Sequence, residues 1–259
     1  MPEADRLVVL AAIGAYATVN TIAGQNGFLT GALLLFGLAL RGRRPVLAGL
    51  AFGLLTIKPQ LGILVPLLLM VERDWATILW SGVFTLALVA LSAFMFGTGV
   101  WHAYLAVTLV EQRSVLTDWS GVFLNMMPTV FGSVRSLGAD PSFAAMAQWP
   151  ESIAAGVVAI WLFVKDRSRL GRTFALLCAT LLVSPYAFDY DMGALAVAAA
   201  VMVVLRTDID GMGPVTLAAV AVLPAFVLPL SSVGAPVAPV VLAASLWTRL
   251  RSVSKCWRT

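Results

Sequence analysis

Charge is scarce in this chain. Only 12% of its 259 residues are Asp, Glu, Lys or Arg, about half the share of an ordinary soluble domain. Histidine occurs once, at His102, and cysteine twice, at Cys178 and Cys256. One histidine and two distant cysteines leave no His/Cys spacing for a metal centre. A cysteine inside an apolar run and another in a basic tail predict no disulfide. No internal repeat, low-complexity tract or soluble domain can be found. The net charge of +4 is not a nucleic-acid signal, because the basic residues sit singly or in short groups between apolar runs.

Apolar sequence is what remains. The chain is 60% hydrophobic with a mean hydropathy of +0.94, and its runs approach the roughly 20 apolar residues that a membrane helix needs. The pattern predicts an all-α, polytopic membrane protein of about ten transmembrane helices. These lie near Leu7–Ala23, Gly27–Leu40, Pro45–Ile57, Leu61–Val71, Ala76–Gly97, Ser152–Val164, Thr173–Val183, Gly193–Leu205, Pro214–Leu230 and Ala235–Leu246. Several are short or broken by Gly and Pro, which predicts tilted or partial helices. Residues 1–259 read as one transmembrane domain, with an outer-face segment at 101–151. The first run follows Glu3, Asp5 and Arg6, is not preceded by a positive leader and is read as a spanning helix.

The gaps alternate in character. One set is basic: Arg41, Arg43 and Arg44, then Lys165, Arg167, Arg169 and Arg172, then Arg249, Arg251, Lys255 and Arg258. Placing the first of these in the cytoplasm places them all there, with both termini. Only Lys58, Arg113 and Arg135 of the 17 basic residues then fall outside, leaving 14 inside, the asymmetry expected of an inner-membrane protein. A rival layout makes Pro45–Met70 one helix. It buries Lys58 near mid-bilayer, at roughly 2.5–3.5 kcal/mol, and sends Lys165–Arg172 outside. Trp75, Trp101, Trp149 and Trp247 mark the expected interfaces.

Four polar groups converge on the outer face. Gly24-Gln25-Asn26-Gly27 is a tight turn, whose bland reading is a helix hairpin. Lys58-Pro59-Gln60 interrupts an apolar stretch; Lys58 is either a snorkelling lysine or one that pairs with a phosphate. In the segment after Trp101, Arg113 could grip a phosphate or be solvated, and His102 reads as a surface residue or a weaker phosphate contact. Ser184–Asp191 supplies Tyr186, Asp189, Tyr190 and Asp191, and aromatic faces beside carboxylates suit a sugar. Asp191 reads mainly as a cap for the following helix, leaving Asp189 the better claim to function.

Gly-Gln-Asn-Gly, then Arg-Arg-Pro-Val-Leu-Ala-Gly, then Lys-Pro-Gln, then Ser-Pro-Tyr-Ala-Phe-Asp-Tyr-Asp together resemble glycosyltransferase family 87, whose members are polytopic GT-C enzymes. The resemblance runs from Gly24 to Asp191. It implies a GT-C-like fold and an inverting transfer of a hexose, mannose above all, from a polyprenyl-phosphate donor. The acceptor would be a lipid or glycan on the non-cytoplasmic face of the cell envelope. A carboxylate would act as general base and positive groups would stabilise the leaving phosphate. Lys58 suits that second role, with Arg113 and His102 behind it. Gln25, Asn26, Gln60, Tyr186, Asp189 and Tyr190 would line the sugar. No cofactor is implied, and a divalent metal is left open.

The sequence departs from the family in one respect. GT-C enzymes carry a catalytic Asp in the first outer loop, whereas the connection Ala23–Gly27 has no carboxylate. The expectation is a chain shortened at its N-terminus, lacking the catalytic base and with little or no transfer activity alone; Asp189 is the one remaining carboxylate to consider as a substitute. A transporter or flippase of lipid-linked sugars and a non-catalytic membrane subunit are the alternatives.

Overall fold

Proline and short polar side chains set the helix boundaries. Pro45 and Pro141 each occupy the first turn of a helix, where the missing N–H costs nothing. Asp74, Thr129, Asp140 and Ser168 each cap a helix by accepting a backbone N–H from its first turn. The computed structural model describes residues 3–205, 214–227 and 234–257, and these contain helices and no strand. Met1, Arg258, Thr259 and the end of the span predicted at Pro214–Leu230 lie outside the described residues.

The helices are α1 Glu3–Ala23, α2 Gly27–Leu40, α3 Pro45–Leu54, α4 Val65–Val71, α5 Trp75–Phe96, α6 Gly99–Ala103, α7 Leu109–Thr117, α8 Val122–Asn125, α9 Val130–Ser136, α10 Pro141–Lys165, α11 Arg169–Val183, α12 Gly193–Leu205, α13 Pro214–Val222, α14 Pro224–Val227 and α15 Gly234–Cys256. Among the described residues, three helices are long and apolar enough to cross a membrane: Asp5–Ala23, Trp75–Phe96 and Pro141–Lys165. Other apolar helical stretches, such as Gly27–Leu40, Pro45–Ile57, Pro59–Val71 and Gly193–Leu205, are shorter. At 1.5 Å per residue a 14-residue helix reaches about 21 Å, against a hydrocarbon core of about 30 Å.

Two boundaries differ from the sequence reading. Residues 141–151, expected to close the outer-face segment, are helical. They form the first turns of α10, a 25-residue helix that runs through Pro150. The apolar run after Gly234 likewise continues through the basic tail to Cys256.

Helices α11 and α12 are the centre of the bundle. Every residue from Thr173 to Leu182 is buried, as is most of α12. By contrast α5 lies at the edge, with Leu86 69% and Phe94 88% exposed. A helix apolar all round and open on its outer side fits a hydrocarbon solvent rather than water. It packs on α3 through Gly49 and Gly53, where an added side chain would run into Trp80 and Phe84; small residues let membrane helices approach closely.

The chain from Pro45 to Glu72 is a hairpin. As one continuous helix, Pro45–Met70 would carry Glu72 about 40 Å from Arg41. Instead the helix breaks into 3-10 turns at Leu55–Ile57 and Pro59–Gly62, and Glu72 accepts a 2.8 Å ion pair from Arg41. Lys58 stands at the tip.

All the basic loops meet at the other end. Arg41, 1% exposed, also donates to Thr173 Oγ1 at 3.0 Å. Arg172 joins Glu72 at 2.9 Å, and the amide of Gly42 donates to Asp74 at 2.6 Å. Arg249 grips Asp166 through Nε at 2.7 Å and Nη2 at 2.9 Å. We call this the basic end.

Candidate functional site

The segment between α11 and α12 cannot be helical throughout, because Pro185 removes a donor just after α11 stops. Ser184 closes α11, its hydroxyl donating to Tyr186 O at 3.0 Å. Phe188 is extended, and Asp189–Asp191 then form one 3-10 turn. In that turn Asp189 Oδ1 accepts from the amide of Tyr190 at 2.8 Å, and Asp191 Oδ2 from the amide of Phe188 at 3.4 Å. The turn aims both carboxyls into the protein: Asp189 is 0% and Asp191 6% exposed.

Asp191 meets Lys58. Its Oδ1 lies 2.7 Å from Lys58 Nζ, and the side chains are 0% and 14% exposed. The ammonium also sits 4.6 Å from the centre of the Tyr190 ring, within cation–π range. Lys58 is therefore not a snorkelling residue in this conformation. Asp191, read from sequence as a helix cap, is its ion-pair partner.

Asp189 has a different environment. Its Oδ2 is buried and lacks a hydrogen-bond partner among the described residues. Burial pushes its pKa up to about 7; the negative charge of Asp191 adds to this, and the hydrogen bond from Tyr190 opposes it. Burial also raises the Asp191 carboxyl, with Lys58 pulling the other way, and raises the phenols of Tyr186 and Tyr190.

The walls are aromatic. Phe188 stacks on Tyr190 at 5.1 Å and meets Tyr186 and Phe123 edge-on. Part of the segment between α7 and α10 covers the turn. The amide of Asp189 donates to Met126 O at 2.8 Å, Thr129 Oγ1 donates to Pro185 O at 3.4 Å, and Leu124, Met127 and Phe131 pack with Phe188 and Tyr190.

Gly24-Gln25-Asn26-Gly27 borders the same turn. Gly24 takes a φ of 59°, which glycine adopts without a Cβ clash. A side chain at Gly27 would run into Asn20 Oδ1 and Tyr190 O. Asn20, buried within α1, ties the two segments together by donating to Tyr190 O at 3.2 Å. The side chains of Gln25 and Asn26 are exposed, and Gln60 is half-buried beside Lys58.

The structure thus brings together Lys58, Tyr186, Asp189, Tyr190 and Asp191, with the Gly24–Gly27 turn alongside. His102 and Arg113 do not join them. Both are exposed on α6 and α7, and no hydrogen bond, ion pair or ring contact links either to Lys58 among the described residues. Asn20 was missed in the sequence, where its one signal is a lone amide in the apolar run of α1. The described residues contain no group of three or more His, Cys, Asp or Glu side chains arranged to hold a metal ion.

No curated protein and no solved structure matches the chain. A family model, glycosyltransferase family 87, matches residues 2–185, well over half of the 259. The match takes in Asn20, the Gly24–Gly27 turn and Lys58, and stops just short of the two aspartates. The chain belongs to glycosyltransferase family 87, a family of membrane glycosyltransferases.

Proposed function

We propose that this glycosyltransferase moves a hexose, mannose by preference, from a polyprenyl-phosphate donor to a lipid or glycan acceptor. In this reading it is an inner-membrane protein with both termini cytoplasmic, and the Lys58 end works on the non-cytoplasmic face. One observation carries the proposal: Lys58 is a nearly buried cation at a helix break, held by one carboxylate and one aromatic face.

Such a lysine can exchange Asp191 for the phosphate of a donor. As the acceptor hydroxyl attacks the anomeric carbon, the bond from that carbon to the phosphate oxygen breaks. Lys58 stabilises the charge that develops on the phosphate. The acceptor's proton needs a base, and Asp189 is the candidate within this chain. It holds one oxygen without a partner, and its pKa near 7 is matched to neutral operation. Tyr186 and Tyr190 offer ring faces to the sugar, and Gln25, Asn26 and Gln60 offer hydrogen bonds at the rim. His102 and Arg113 would contact donor only after the outer segment moves.

A flippase is the poorer fit. It needs polar groups through the membrane depth. Among the described residues the ion pairs form two layers, Lys58–Asp191 at one end and Arg41–Glu72 and Arg249–Asp166 at the other. The described core between them is built from residues such as Leu34, Leu38, Phe174, Ala179 and Leu195, and buried polar side chains there, such as Thr30 and Thr180, are uncharged.

The test uses the purified chain in nanodiscs with a radiolabelled polyprenyl-phosphate mannose and a membrane lipid extract as acceptor. Transfer is expected, and Lys58→Gln should weaken donor binding more than Lys58→Arg because charge is what matters. Asp189→Asn should lower turnover by roughly 10²–10⁴ with donor binding retained. Unchanged binding in both lysine variants would remove Lys58 from the phosphate site. Donor binding without transfer by the parent chain would support a non-catalytic subunit instead.

A further inference from the structure

At the basic end the loop between α10 and α11 and the last turns of α15 enclose a cavity of about 330 Å³, lined by Lys165, Asp166, Arg167, Arg249, Val253 and Trp257, among others. Its floor is electrically neutral, because Arg249 and Asp166 are buried and pair through two hydrogen bonds. Its rim is not. Lys165 and Arg167 have no carboxylate partner among the described residues. Instead they lie 4.7 and 5.3 Å from the centre of the Trp257 ring.

A cation resting on an aromatic face is positioned but keeps its charge. Among the described residues this rim therefore presents two positive charges without a carboxylate partner, and a Trp257 Nε1 hydrogen bond to Lys165 O at 2.9 Å ties its two sides together. Trp257 is about half exposed, and an indole of this kind favours the headgroup level of a bilayer. The cavity also closes one end of α10, which is long and apolar enough to span.

We infer that this cavity binds the headgroup of an anionic phospholipid: the phosphate between Lys165 and Arg167, the glycerol against Val253, and the first acyl carbons along the Trp257 indole. Basic pockets between membrane helices accept such headgroups, and each cation near an anionic surface adds roughly fivefold in affinity. A free phosphate would use the cations alone and gain nothing from the tryptophan. The inference is independent of the transfer reaction and of Lys58.

Native mass spectrometry of the delipidated, detergent-purified chain tests it, with dioleoyl phosphatidylglycerol and dioleoyl phosphatidylcholine as probes. The parent should retain the glycerol lipid at least tenfold better. The double variant Lys165→Gln/Arg167→Gln should lose about 25-fold, whereas Arg43→Gln/Arg44→Gln, which removes the same charge from exposed positions at the same end, should lose little. Equal retention of the two lipids would overturn the inference. So would equal losses in the two double variants, which would mean diffuse charge attraction. Displacement of the lipid by millimolar inorganic phosphate would reassign the cavity to a soluble anion.

Discussion

Asp189→Asn is the sharpest physical test of the site, because it separates burial from catalysis. The carboxyl has a pKa near 7 in the folded chain, against about 3.9 when exposed. A raised pKa means that the folded state favours the protonated form. Its stabilising effect is therefore complete below about pH 4 and is lost as pH rises through 7. Asparagine has no such proton to lose. Across pH 5 to 7 the parent should fall behind the variant by about 1.4 kcal/mol per pH unit, and above 7 the difference should level off. Between pH 5 and 8 the gap should widen by roughly 2–3 kcal/mol in favour of Asp189→Asn.

The substitution is a fair one. Oδ1 keeps the hydrogen bond from the Tyr190 amide, and Oδ2 has no partner to lose among the described residues. Thermal unfolding in detergent, followed by tryptophan fluorescence at half-unit pH steps, reads the effect. Other titrating groups are common to both proteins and cancel, apart from the smaller response of Asp191, which loses a neighbouring charge and is expected to titrate lower. Parallel melting curves for parent and variant from pH 5 to 8 would refute the burial argument. An ordinary or depressed Asp189 pKa would give that parallel result, because the carboxyl would be ionised in both folded and unfolded chains throughout this range.

The other expectations concern the scaffold. Glu72→Gln strips the partner from Arg41, which is almost fully buried; breaking a buried pair from one side costs about 3–5 kcal/mol, and a correspondingly lower melting temperature is expected. An unchanged melting temperature would mean that water reaches Arg41. Gly27→Val should displace the Gly24–Gly27 turn from Tyr190 and weaken donor binding without unfolding the bundle, as measured by lipid-donor titration and circular dichroism; parent-like donor affinity would detach that turn from the site. For topology, Ser142→Cys in a background lacking Cys178 and Cys256 should react with an impermeant thiol reagent in intact cells, and Ser254→Cys should not. The reverse pattern would invert the membrane orientation.

Much of this arrangement is legible in the sequence because membrane insertion is written in local terms. A basic cluster after α2, a proline at the start of α3 and a lysine between two short apolar runs are each visible within a few residues. The hairpin at Lys58 follows from them, since a lysine at mid-helix would be costly. Helix ends were harder to read. The span expected at Ser152–Val164 is the second half of a helix that starts at Pro141 and runs through Pro150.

Pairing is what local sequence does not encode. Lys58 and Asp191 are 133 positions apart, and nothing near Asp191 distinguishes an ion-pair partner from a helix cap. The distinction depends on Pro185 and the 3-10 turn rotating that carboxyl inward. The same rotation leaves Asp189 Oδ2 buried without a partner among the described residues, although two aspartates with one residue between them look equivalent on paper. Asn20 is the opposite case: its lone amide in an apolar helix can be seen at once, but its role appears only when Tyr190 O is found 3.2 Å away. A buried amide in a membrane helix must find partners or pay a large desolvation penalty. Polar residues stranded in apolar runs are therefore the places where sequence signals a tertiary contact without naming the other half.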